Sequence, residues 1–117
     1  MKKFLSIFIA LLVSAVSFSQ QNMTAEKLLS YKPTKLVNDF TGTLTPDQEQ
    51  ALERKLVAFD DSTSTQIAVV IINSLDGNEI ADYNLKVLRA WGVGGKENNN
   101  GVVLLIARGD RKLNIST

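Results

Sequence analysis

Two short apolar runs dominate the hydropathy pattern, residues 66–72 (QIAVVII) and 102–107 (VVLLIA). Each is too short for a helix, rich in β-branched residues and bounded by polar or glycine-bearing segments, which predicts strands covered on both faces. Between them the period changes. Ile80, Tyr83, Val87, Leu88 and Trp91 recur at i, i+3, i+7, i+8 and i+11, the stripe of an amphipathic helix over 79–91 with Gly92 at its C′ position. Two buried strands joined by a helix form a βαβ crossover, so the strands are expected parallel with a right-handed connection.

Upstream, Thr45-Pro46-Asp47-Gln48 combines a hydroxyl N-cap, a proline at the first helical position and a glutamine placed to close a capping box. Leu52, Leu56 and Phe59 follow at i, i+4 and i+7, predicting a second amphipathic helix over 45–61, with Glu49, Glu53, Arg54 and Lys55 on its solvated face. Residues 36–39 have a short strand-like character and close in Phe40-Thr41-Gly42, a turn composition. Beyond the second run, Arg108-Gly109-Asp110-Arg111 turns the chain tightly into residues 112–117, so these two strands can only pair antiparallel. The expected fold class is α/β, a mixed, mainly parallel sheet with helices on both faces. In this α/β/α sandwich 45–61 lies opposite 79–91, and the C-terminal part of the domain is missing, because residue 117 carries no terminal or turn signal.

The amino terminus reads differently. Lys2 and Lys3, an apolar core over 4–16 and Ser17-Phe18-Ser19 ahead of Gln20 form the pattern of a secretory signal peptide, too short to cross a bilayer that needs about 20 residues. Three segments are therefore expected: a signal peptide over 1–19, a polar tether over 20–35 and an incomplete α/β domain over 36–117. The chain is exported to the periplasm, the cell envelope or the exterior. Losing Lys2 and Lys3 lowers the 13 basic residues to 11 against 12 acidic ones, a near-neutral balance without the basic footprint of a nucleic-acid binder. Cysteine and histidine are both absent. That excludes a Ser-His-Asp triad, a thiol nucleophile and a nitrogen or sulfur zinc site, and leaves oxygen chemistry: hard cations or carboxylate acid/base work.

Gly92-Val93-Gly94-Gly95-Lys96 suggests a phosphate loop, but a phosphate loop follows a strand and opens a helix, whereas these glycines follow a helix and lead to a strand. No nucleotide site is expected there. Asn98-Asn99-Asn100-Gly101 offers carbonyl ligands, yet asparagine before glycine is an ordinary turn pair and lies at the amino end of its strand. Ligands of open α/β sheets gather at the carboxyl ends. That rule selects Asp39, Asp76 and Asp110, one behind each expected parallel strand, as a candidate metal site for Ca2+ or Mg2+. The bland reading is that all three are turn-favouring residues in turns.

Val37-Asn38-Asp39-Phe40-Thr41-Gly42-Thr43-Leu44-Thr45, Thr65-Gln66-Ile67-Ala68-Val69-Val70, Trp91-Gly92-Val93-Gly94 with residues 100–107, and Asp110-Arg111-Lys112 resemble, in order, the TPM domain family over residues 37–117. The resemblance implies a mixed sheet sandwiched by helices in a secreted or membrane-facing protein. It also implies functions of two classes. Plant thylakoid-lumen members are linked to acid phosphatase activity and photosystem repair, an animal member is an auxiliary receptor subunit, and bacterial members bind calcium. Many bacterial members carry a membrane anchor after the domain. Asp39 and Asp110 are the best-matched acids; Asp76 rests on topology alone. The favoured expectation is an envelope-associated calcium-binding module that supports membrane-protein complexes, and the alternative is a metal-dependent phosphatase acting on phosphomonoesters.

Overall fold

The computed structural model describes residues 23–95 and 100–117. Its elements in chain order are α1 (Ala25–Ser30), β1 (Val37–Asp39), α2 (Pro46–Thr63), β2 (Thr65–Ile72), α3 (Ile80–Trp91), β3 (Asn100–Ala107) and β4 (Lys112–Ser116). The four strands form one sheet in the order β1-β2-β3-β4, with β1, β2 and β3 parallel and β4 antiparallel to β3. This is the mixed, mainly parallel α/β sheet that the apolar runs predict, and its two helix starts and βαβ unit lie where the pattern placed them.

Register decides which face each residue covers. Val37, Val69, Leu104 and Ile115 stand side by side across the sheet, as do Asp39, Ile71, Ile106 and Leu113. The alternate positions, Ala68, Val70, Ile72, Val103, Leu105 and Ala107, form the buried core with Tyr83 and Val87 of α3 and Ala25 and Leu28 of α1. On the other face α2 packs against β1 and β2, where Val37, Val69 and Ile71 are buried. Farther along that face Leu113 and Ile115 stay 64% and 62% exposed. Two buried strands therefore have cover on both sides only where α2 reaches, and α2 itself has no fully buried residue.

The caps explain the helix boundaries. Thr45 and Gln48 form the reciprocal capping box at the start of α2. Gly92 ends α3 at φ 62, a left-handed conformation that glycine adopts without a Cβ penalty. In α3 a polar residue falls inside the apolar stripe. Asn84 is fully buried, and its Nδ2 donates to the carbonyls of Val103 and Asn114 and to Asn114 Oδ1, which ties the helix to β3 and β4.

Two expectations need correction. Residues 25–30 were expected within a polar tether over 20–35, but they form α1, whose Ala25 and Leu28 are core residues. The helix escapes periodicity analysis because six residues present only two inward positions. Glu53 was expected on a solvated face, but its two carboxylate oxygens accept the backbone N–H groups of Leu36 and Val37 and hold the chain as it enters β1. The expected signal peptide, 1–19, and residues 96–99, with Lys96, Asn98 and Asn99, lie outside the described residues.

Candidate functional site

The carboxyl ends of β1, β2 and β3 carry three loops, and hydrogen bonds knit them into one rim. Arg108 N–H donates to the Ile72 carbonyl at 2.8 Å and Gly109 N–H to the Asn73 carbonyl at 2.7 Å, joining the β3–β4 turn to the end of β2. Asp110 Oδ2 accepts the Leu75 N–H at 2.8 Å, a second tie between the same loops. Arg108 Nη1 reaches Thr43 Oγ1 at 3.4 Å, a long contact that brings the third loop in. Gly109 is required by closeness: a Cβ there would stand 2.5 Å from the Asn73 carbonyl oxygen and 2.7 Å from its Oδ1.

Each candidate acid is at this edge, and each accepts at least one backbone N–H. Asp39 Oδ1 accepts the Thr41 N–H and hydroxyl at 3.0 and 2.8 Å, and its Oδ2 accepts the Leu44 N–H at 2.7 Å. Partial burial pushes the Asp39 pKa up, but the N–H groups of Leu44, Thr41 and Thr43 and the Thr41 hydroxyl together outweigh it and hold the carboxyl below its ordinary value. The group is ionised at neutral pH. Asp76 sits at φ 52 in the β2–α3 loop, and its Oδ2 accepts the Ala25 N–H at the start of α1. There a negative charge meets the positive end of a short helix. The same charge lies near Tyr83, whose hydroxyl donates to the Ala25 carbonyl and whose pKa is pushed up to about 12, first by burial and then by Asp76.

A single ion shared by the three does not fit this arrangement. Oxygens on one calcium lie within about 5 Å of each other, whereas β1 and β3 stand two strand spacings apart, roughly 10 Å. Asp39 lies on the α2 side of the sheet, beside Ile71 and Ile106, while Asp110 serves Leu75 on the α3 side. Among the described residues no group of three or more carboxylates could hold a metal ion. The three acids do stand at one edge, but that edge is three strands wide and not a point.

At the opposite edge α2 and α3 both end, and beside them lies a cavity of about 510 Å³. Apolar Leu36, Val57, Ala68 and Trp91 line it together with Lys35, Glu53, Asp60 and Gln66. The glycine turn Gly92 to Gly95 forms one wall, and its N–H groups are spent inward on the carbonyls of Arg89, Leu88 and Gly92 and on Gln66 Oε1. Among the described residues these N–H groups serve the helix cap and the turn. Gly94 and Gly101 are there because a Cβ on either would collide with the other's backbone neighbourhood. This cavity had no sequence signal: its residues come from four separate segments.

A family model described as the TPM domain matches residues 37–117. Four chains of solved structures also match. One is the solution NMR structure of the N-terminal domain of a protein from P. gingivalis, 32% identical with a TM-score of 0.67, and the match covers 81% of the present chain. It covers 62% of that domain, so the present chain spans less than two thirds of its relative's length. None of the curated proteins matches.

Proposed function

The chain belongs to the TPM domain family, and from that premise we propose that it acts as an exported binding module of the cell envelope, holding a membrane-protein partner, rather than as a phosphatase. One observation carries this reading: the carboxylates at the carboxyl edge each hold backbone N–H groups in place, Asp39 within its own loop, Asp76 at the start of α1 and Asp110 across to Leu75 of the neighbouring loop. A metal-assisted hydrolase needs such groups convergent in a pocket, free to hold an ion and orient its water. A knitted rim bearing ionised Asp39, and Arg108 in contact with Thr43, instead offers a fixed polar surface, suited to recognising a partner without rearrangement. No shared calcium or magnesium ion enters this reading. Export rests on residues 1–19, and a mature amino terminus at Gln20 is the expected result of sequencing the secreted protein.

The test has two arms. The full chain, incubated with para-nitrophenyl phosphate and calcium or magnesium, is expected to release no phosphate. Turnover that disappears in Asp39→Asn and Asp110→Asn with the fold intact would overturn the binding reading in favour of the phosphatase. In the second arm a photo-crosslinking side chain in place of Arg111 is expected to give a discrete adduct with one envelope protein, and the same probe in place of Arg54, on α2, is expected to give none.

A further inference from the structure

The amino-edge cavity is independent of the rim and has a chemistry of its own. β1 pairs only with Val69 to Ile71, so the first half of β2 has no strand on that side among the described residues. The chain before β1 is held away by Glu53, and the space left between α2, the start of β2 and the end of α3 is the cavity. Its volume is in the range of small-ligand sites.

Three features set the sign of charge it accepts. Both flanking helices run from the carboxyl edge to this one, so both present their carbonyl ends, the negative end of the helix dipole, toward it. The N–H groups of the glycine turn are spent, so that wall has no donors for an anion. Glu53 uses both oxygens on Leu36 and Val37, which leaves Asp60 as the other carboxylate lining the cavity. The aromatic wall is Trp91, fixed by its Nε1 donating to the Leu28 carbonyl at 2.9 Å and stacked at a tilt on Tyr31, with ring centroids 5.9 Å apart. A ring held in this way, in a cavity that a carboxylate also lines, suits a cation on an apolar stem. Lys35, at the β1 side, is the one group of opposite preference among the cavity's charged side chains.

We propose that this cavity binds a primary ammonium group on an apolar stem, the chemistry shared by a polypeptide amino terminus and a lysine side chain. Asp60 is the counter-ion and Trp91 the wall. Trp91 is the only tryptophan, so its fluorescence reads the site directly. Titration of the full chain with hexylammonium is expected to give a saturable change, and hexanoate and hexanol, of the same length, none. Asp60→Asn is expected to weaken hexylammonium about tenfold with an unchanged melting curve, the loss of one charge-assisted contact, and Lys35→Met to tighten it. Leucinamide and N-acetyl-lysine methylamide then separate the two sources, since the one that binds more tightly names the natural group. Equal responses to hexylammonium and hexanoate, an Asp60→Asn variant that binds as well as the parent, or silence from both amine probes would overturn the proposal. None of these outcomes touches the crosslinking result at the rim.

Discussion

Asp39 is where burial and hydrogen bonding oppose each other most directly. Burial raises the carboxyl pKa and four donors lower it, and the donors win, leaving it below the ordinary 3.8. A depressed folded pKa contributes stability that is fully present above the unfolded value and is lost as pH falls through the folded one. Acid melts are therefore expected to show a loss of stability below about pH 4 that is smaller in Asp39→Asn. An equal acid loss in the variant would show that other carboxylates cause it. Gly109 makes a steric counterpart. Gly109→Ala places a methyl against the Asn73 backbone, and a cost of about 1–3 kcal/mol is expected in chemical denaturation, as for other overpacked sites. These residues also show what was legible in the sequence. Asp39, Asp76 and Asp110 were visible as acids in turns; Asp39 bonds within its own turn, whereas Asp76 and Asp110 reach distant backbone. Their partners, N–H groups of Leu44, Ala25 and Leu75, carry no residue-type signal, because every residue but proline has one.

The elements were legible in proportion to their length. The Thr45–Gln48 box and the stripe from Ile80 to Trp91 fixed α2 and α3, since each repeats a signal over several turns. α1 repeats nothing, yet the fold depends on it. Its residues lie outside the family match at 37–117, while three groups of the domain grip it: Asp76 at the Ala25 N–H, Tyr83 at the Ala25 carbonyl and Trp91 at the Leu28 carbonyl. Leu28 is fully buried. Leu28→Ala is accordingly expected to cost about 2–5 kcal/mol, as for large-to-small changes in a core. A tether would show almost no cost, so urea denaturation distinguishes the two. Asn84 is a polar residue in an apolar stripe, and the stripe marked its position but not its three acceptors on β3 and β4.

At the scale of the molecule, the sheet separates two faces and two edges. On one face the strip at Leu113 and Ile115 faces water. Leu113→Thr with Ile115→Thr is expected to shift stability by no more than about 1 kcal/mol, since each exposed substitution is usually within about half that. The edges are separated by the length of β2 and β3, eight residues each, or about 26 Å at the usual rise per residue. That is well beyond the roughly 8–10 Å over which exposed charges act at ordinary ionic strength. Changes at the two edges should consequently add. Asp110→Asn is expected to leave the Trp91 response to hexylammonium unchanged, and Asp60→Asn to leave the Arg111 crosslink unchanged, with the double variant showing the sum in stability to within about 0.5 kcal/mol. A larger discrepancy would mean that the sheet has two arrangements and transmits a shift from one edge to the other. In that case the rim and the cavity would be parts of one device, coupled through the sheet or through α2 and α3, which both run from one edge to the other.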